Sequence, residues 1–295
     1  MPEPEKTFRR ALQSDRLAIT ADLTLKSNSG AEDVARQCEM LGDSVDGLQV
    51  TDNPYAWVQM SALAAASLVL QEGLDPVPVL TCRDRNRIAL QSDLLGLRAI
   101  GVRSLLLTRG HRIPPGHPVL ANTVFDTKGK ELVALAARIG DTDPPTPGKE
   151  FLIGVGARAF RPQEGWDPGW LNKRSSSGAG FLQTQLCLNT DLLREYMAAL
   201  VEARVTWKYS VVVTVAALPS ADTARWLKQT MSDVRIPKEL VDRLEQASDP
   251  EQEGIAICAG QMQEIAEIPG VSGVNIMTMG EPASIRATIK QSGLL

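Results

Sequence analysis

Arginine, aspartate, asparagine, threonine and glutamine gather at a few points along this chain, each just past a short apolar run. Asp22 follows the first run, in ITADLTLKSNSG, and Thr51, Asp52, Asn53 and Pro54 follow the second. The third leads into Thr81, Cys82, Arg83, Asp84, Arg85 and Asn86, and the fourth into Thr108, Arg109, Gly110 and His111. Later runs end in Arg158, Phe160 and Arg161, in Thr184, Gln185 and Asn189, in Leu218 and Pro219, and in Thr278, Met279 and Gly280. A carboxyl such as Asp22 can act as a general acid when burial raises its pKa. Guanidinium forks suit phosphate or carboxylate, so the arginines point to an anionic ligand. Each of these residues taken singly also reads as a loop cap or a salt bridge. Gathered on one rim, they read as a polar pocket.

An alternation of short Val/Ile/Leu-rich runs with longer amphipathic stretches would gather them. Strands are predicted at Leu17–Leu23, Gly47–Val50, Val77–Thr81, Ser104–Thr108, Phe151–Ala157, Phe181–Gln185, Ser210–Val215 and Gly273–Thr278. Helices are predicted at Ala31–Leu41, Trp57–Gln71, Arg87–Ile100, Gly129–Ile139, Pro168–Ser176, Thr190–Ala203 and Ala221–Met231. Two more, Lys238–Ala247 and Glu253–Ile268, precede the last strand, and Ala283–Ser292 closes the pattern. Continuous apolar runs such as SLLLT and SVVVTVAAL suit parallel strands buried on both faces. No GxGxxG follows the first strand, which removes the usual fingerprint of an open dinucleotide-binding sheet. The expected fold is therefore α/β, a single-domain (βα)8 TIM barrel over residues 16–295 with an N-terminal extension over 1–15. The Pro-rich stretch Asp141–Lys149 is expected to span the fourth helix and fifth strand rather than to separate two domains.

Composition narrows the function class. Hydrophobic residues make up 43% and charged residues 22% of the 295, enough to bury a large core. A net charge of −4 argues against a nucleic-acid partner. No apolar stretch approaches the roughly 20 residues of a membrane span, and the charged start has no secretory core. Cys38, Cys82, Cys187 and Cys258 form no CxxC pair, and the only histidines are His111 and His117. Buried free thiols, no metal centre and a cytoplasmic location are the expectations.

Several blocks resemble one family. TCRDRNRIALQSDLLGLRAIGVRSLLLTRGH, FLIGVGARAFRP, LNKRSSSGAGFLQTQ, VAALPSADTARWLKQTMSDVRIPKEL, EGIAICAGQMQEI and GVSGVNIMTMG are similar, in order, to segments of methylenetetrahydrofolate reductases. The resemblance covers about residues 16–293. It implies an oxidoreductase of folate one-carbon metabolism that interconverts 5,10-methylenetetrahydrofolate and 5-methyltetrahydrofolate, with FAD and with NADH or NADPH.

By the same resemblance, Gln185 takes the place of the glutamine that hydrogen-bonds the pterin, an amide suiting its mixed donor and acceptor edge. Thr278 and His111 join it on the tetrahydrofolate side. Thr51, Arg109, Gly110, Arg158, Asp167, Lys173 and Arg174 stand on the cofactor side, with cations for the pyrophosphate and an acceptor for the ribityl chain. Asp22 and His111 stand at the catalytic positions. Two departures bear on the chemistry. The family's first strand ends in Glu-x-x-Pro-Pro, with the glutamate as proton donor to the folate N10, whereas here the stretch is Asp22-Leu23-Thr24-Leu25-Lys26. A shorter acid misplaced by ~1 Å can cost about 100-fold in rate. His111 replaces the aspartate of Arg-Gly-Asp and removes or reverses its charge. The departures leave a second reading open, a non-reductase paralogue acting as a folate-binding or partner subunit of a methyl-transfer system, and the partners in view beside the folate are a second copy of the chain, as a homo-oligomer, or a methyltransferase.

Overall fold

Alternation within each strand decides the architecture. In β1 (Ala18–Asp22), Ile19 and Ala21 face one way into the large core shared with the helices, while Ala18 faces the other way into a separate small cluster. Only a sheet closed on itself gives one set of side chains an interior and the other a helical jacket. The computed structural model describes residues 4, 6–113, 116–140, 150–231 and 234–294, so Asp141–Lys149 lies outside the described residues.

The strands close into a barrel in chain order: β1, β2 (Gly47–Val50), β3 (Pro76–Thr81), β4 (Ser104–Thr108), β5 (Leu152–Ala157), β6 (Ala179–Thr184), β7 (Ser210–Ala217) and β8 (Val271–Thr278). Every pairing is parallel, and β1 closes the ring on β8 with Thr20 beside Asn275. The predicted (βα)8 barrel is the observed fold, with strand bounds shifted by a residue or two.

Around the ring run α1 (Phe8–Leu12), α2 (Ala31–Leu41), α3 (Ala62–Gln71), α4 (Arg87–Ile100), α5 (Gly129–Gly140), α6 (Gly169–Ser175), α7 (Thr190–Glu202), α8 (Ala221–Thr230), α9 (Lys238–Gln246), α10 (Pro250–Ala266) and α11 (Ala283–Ser292). One boundary differs by more than fraying. The third helix starts at Ala62, not Trp57, because the Ser61 hydroxyl caps it by accepting from the Ala64 N–H. Trp57 and Val58, whose spacing mimicked a helical face, are 51% and 58% exposed.

The stretch predicted as an extension carries α1, which stoppers the barrel at the N-terminal ends of its strands. Thr7 caps it, Phe8 is 1% exposed, and the Phe8 N–H donates to Asp75 Oδ2 at 2.9 Å. The Phe8 ring meets Phe181 edge-on, with centroids 5.2 Å apart. Ala18, Val77, Val79, Leu106 and Val212 complete this apolar floor. Gly154 on β5 makes room for it, since a Cβ there would sit 2.0 Å from Phe181 Cζ. Gly154→Ala is expected to lower stability by at least about 1–3 kcal/mol by denaturant unfolding, and a second change, Phe181→Leu, is expected to restore part of the loss.

Candidate functional site

Above the floor the inward-facing positions turn polar. Thr20, Gln49, Thr81, Gln183, Thr214 and Asn275 are all buried. Buried polar groups in a barrel interior need partners, and most here find them in one another. The Thr20 hydroxyl donates to Asn275 Oδ1 at 2.8 Å, which turns the Asn275 amide nitrogen toward β1. Gln183 Nε2 donates to Thr214 Oγ1 at 3.2 Å.

Asp22 is the centre of this layer. Its Oδ1 accepts from Gln49 Nε2 at 2.8 Å and from Asn275 Nδ2 at 2.9 Å. Its Oδ2 has no hydrogen-bond partner among the described residues. Burial pushes the carboxyl up to about 6, against the downward pull of the two amide donors. The result is a carboxyl anchored on one oxygen, open on the other, and able to hold a proton near neutrality.

Gln185 lies just past β6. Its N–H donates to Ala157 O at 2.7 Å, while its side-chain amide has no hydrogen bond among the described residues. Gly156 on β5 leaves space beside it: a Cβ there would lie 3.7 Å from Gln185 Nε2 and 3.5 Å from Thr108 Cγ2.

The loop after β2 is strained. Asn53, Tyr55 and Ala56 all take positive φ, at 45°, 56° and 66°. For Tyr55 and Ala56 this costs on the order of 1 kcal/mol or more each, so the surroundings must impose it. They do so through several bonds. Arg83 Nη2 donates to Asn53 O at 2.9 Å, the Gln59 N–H donates to Asn53 Oδ1 at 3.1 Å, and Gln59 Nε2 donates to Thr51 O at 2.7 Å. The Tyr55 ring meets Trp226 of α8 edge-on at 5.3 Å. Burial and the Asp22 charge together push the Tyr55 hydroxyl up to about 12.

The rim arginines divide into two groups. Arg85 grips Asp52 with two bonds of 2.7 and 2.9 Å, and Asp52 also accepts from the Thr81 N–H and hydroxyl. Arg83 grips Asp84 in the same bidentate way. These two resolve to structural clamps. Arg109 is exposed and lies over the Phe125 ring at 4.6 Å. Gly110 takes φ +80°, and a Cβ there would press on Thr81 and Arg83 at 3.1 Å. His111 is exposed on the same loop, three strands round the barrel from Asp22, and Arg158 is exposed past β5.

The α6 set follows β5, and its Arg174 reaches across to the start of α5. Asp167 folds against the start of α6, where a Gly169 Cβ would lie 2.7 Å from its Oδ2, and Lys173 is exposed. Arg174 is half-buried against Gly129 at the start of α5 and 5.9 Å from the centre of the Trp170 ring. Burial lowers its pKa, and it has no hydrogen bond or ion pair among the described residues. The Thr278 hydroxyl is already committed: it meets Ser284 Oγ at 2.9 Å and Ala217 O at 3.3 Å, and accepts from the Gly280 N–H at 3.0 Å. Thr51 Oγ1 accepts from Gln59 Nε2 at 3.2 Å.

So the barrel mouth holds Asp22, Thr51 and Gln185, the β4 loop carries Arg109, Gly110 and His111, and α6 holds the remaining cations. Sequence reasoning missed Thr20, Gln49, Asn275 and Tyr55. Their signal was available: Gln49 in GLQV and Asn275 in GVNIMT are polar residues inside apolar runs, at inward parity. A concavity of about 490 Å3 lies along the β4–α5 loop, and its lining includes Arg112, His117 and Asn122 but no barrel-interior residue. Among the described residues, no cluster of His, Cys, Asp and Glu is placed to hold a metal, and no helix is long and apolar enough to cross a membrane. All four cysteines are buried and free.

A family model, methylenetetrahydrofolate reductase, matches residues 7–293. The chain belongs to the methylenetetrahydrofolate reductase family. A curated relative, the probable methylenetetrahydrofolate reductase (NADPH) of Caenorhabditis elegans, is 22% identical over 245 residues, which is 80% of this chain and 35% of that protein. The chain thus spans about a third of that relative's length. Among solved structures, a Clostridium thermocellum protein described as binding two copies of 5-methyl-5,6,7,8-tetrahydrofolic acid superposes with a TM-score of 0.62 at 13% identity, covering 96% of each chain. Dihydropteroate synthase of Stenotrophomonas maltophilia follows at 0.51 and 11%, covering 95% of this chain and 93% of its own. At such identities these two likenesses speak for the barrel alone. The structure gives the Asp22 carboxyl of this family member two amide anchors.

The raised Asp22 value has a consequence for stability. A carboxyl that titrates at about 6 when folded, against an ordinary 3.8, binds more protons in the folded state. Its contribution favours folding below pH ~4 and is lost as pH rises through about 6. Above pH 7, Asp22→Asn is therefore expected to unfold at higher denaturant than the parent, by up to about 3 kcal/mol, with the gap closing as pH falls below about 4.

Proposed function

We propose that this chain interconverts 5,10-methylenetetrahydrofolate and 5-methyltetrahydrofolate, with Asp22 as the general acid. The observation that carries the reading is the carboxyl itself, with Oδ1 fixed by two amides and Oδ2 without a hydrogen-bond partner among the described residues. In the reductive direction Asp22 gives its proton to N10 as the bond from N10 to the bridging methylene carbon breaks, its electron pair going to N10. The methylene group is left as an iminium on N5, a hydride adds to its carbon, and the methyl group results. Asp22 then takes a proton from water. In reverse, loss of hydride restores the iminium, N10 attacks its carbon, and the N10 proton returns to Asp22. Gln185, whose amide is unspent, pairs with the pterin edge. His111 meets the ligand from the β4 loop, with an imidazole where the family has a carboxylate.

The residues present fit a flavin dinucleotide. Arg174 is a half-buried cation with no ion-pair partner among the described residues, which a diphosphate would satisfy, and Arg109 exposes its guanidinium on the rim. Thr51, Arg109, Gly110, Arg158, Asp167, Lys173 and Arg174 would hold it. FAD, reduced by NADH or NADPH, supplies the hydride when bound. A second reading, a folate-binding paralogue without reductase chemistry that partners a methyltransferase, draws on the Clostridium thermocellum protein, which is described as binding two copies of 5-methyl-5,6,7,8-tetrahydrofolic acid.

Asp22→Asn is expected to cut turnover at least about 100-fold while leaving folate affinity within about threefold, because shape is kept and the proton is not. Steady-state kinetics and calorimetry check it, and unchanged turnover rejects the role. Gln185→Ala is expected to weaken folate binding by about 1–3 kcal/mol. Purified protein that is colourless and inert toward methylenetetrahydrofolate with NADH and added FAD, yet binds the folate, selects the second reading.

A further inference from the structure

The loop after β2 sends two aromatic rings to opposite sides. Tyr55 meets Trp226 of α8 with centroids 5.3 Å apart, and Trp57 meets His117 of the β4–α5 loop at 4.8 Å. In the closed ring, β8 and β1 stand between β2 and the β7 that leads into α8, and β3 stands between β2 and β4. Residues 54–58 therefore bridge over the C-terminal ends of strands on both sides of their own. Their base is tied off separately. Gln59 Nε2 donates to Thr51 O, the Gln59 N–H donates to Asn53 Oδ1, and Arg83 Nη2 donates to Asn53 O. Among the described residues, no side-chain hydrogen bond joins 54–58 to α8 or to the β4–α5 loop.

We propose that residues 54–58 are a flap that opens over the barrel mouth to admit the ligand, with the Tyr55–Trp226 and Trp57–His117 contacts as its two latches. The inference rests on the reading of the mouth as the folate site. Two features make the latched state costly. Tyr55 and Ala56 hold positive φ, at 56° and 66°, without being glycine. On the other side, His117 Nδ1 accepts from the Val119 N–H at 3.2 Å, so the neutral ring carries its hydrogen on Nε2. That nitrogen is buried with no hydrogen-bond partner among the described residues. A buried donor left unpaired is unfavourable. Lifting Trp57 from the imidazole lets water reach it, and freeing Tyr55 lets the turn relax. Opening sacrifices two aromatic contacts in exchange, so gain and loss oppose each other, as a gate requires. The tied base keeps the motion within the tip.

The test follows association of 5-methyltetrahydrofolate with the full chain by stopped-flow tryptophan fluorescence. A flap that must open first makes the observed rate level off at high folate, at the opening rate. Trp57→Ala removes one latch at an exposed side chain and is expected to raise that ceiling by about threefold to tenfold. Ala56→Gly keeps both ring contacts while relieving a positive φ, and is expected to lower the ceiling. A parent rate that climbs linearly with folate, or a ceiling shared by all three proteins, overturns the proposal. Amide exchange of residues 55–58 in the ligand-free chain is the second measurement. Trp57→Ala is expected to quicken it by a similar factor and Ala56→Gly to slow it, and equal exchange in all three overturns the flap. The two readings fail separately. If no folate binds and exchange moves as expected, the ligand is wrong and the flap stands. If folate binds at a linearly rising rate and exchange is equal in all three, the flap is wrong and the ligand stands.

Discussion

Two side-chain amides converge on one oxygen of Asp22, and they come from the two strands that flank β1 in the closed ring. Gln49 belongs to β2 and Asn275 to β8, the first separated from Asp22 by 27 positions and the second by 253. The site is therefore a product of barrel closure and not of any local motif. Until the last strand docks against the first, the carboxyl lacks an anchor and sits in water with an ordinary acidity. Thr20 carries the dependence further, since its hydroxyl sets which end of the Asn275 amide points at the carboxyl. A neutral scaffold for an acid is a consistent choice. A cation in place of either amide would bind the charged form tightly and lower its pKa.

The fold was legible because parallel strands buried on both faces leave continuous apolar runs, and SLLLT and SVVVTVAAL are such runs. The family was legible because its blocks keep their order. What escaped was parity. Gln49 and Asn275 stand in phase with the inward face, yet a reading that searched for polar residues only past the strand ends passed over them. Tyr55 escaped for a different reason. Asn53-Pro54-Tyr55-Ala56-Trp57 carries apolar residues at a spacing a helix could use, and nothing local announces non-glycine residues at positive φ in a turn whose Asn53 carbonyl is held by an arginine thirty positions away. Phe8 lies in a stretch read as an extension or a lead-in helix, and it is among the most enclosed residues described.

The rim cations teach a related lesson. From the sequence, Arg83, Arg85, Arg109, Arg158 and Arg174 look alike. In the structure two of them are consumed by carboxylates of the neighbouring loops and hold those loops in place. Arg174 carries its charge into a half-buried position beside Trp170 and Gly129 with no carboxylate to meet it among the described residues. Desolvating a charge without a partner is unfavourable unless something else compensates, so partner lists separate structural arginines from those held in reserve better than position along the rim does.

The stopper at the foot of the barrel has a kinetic consequence. With Phe8 and Phe181 filling the lower end, entry through the foot of the barrel is closed. A guest entering at the other end meets a closed floor, so two bulky guests of comparable size compete for one space.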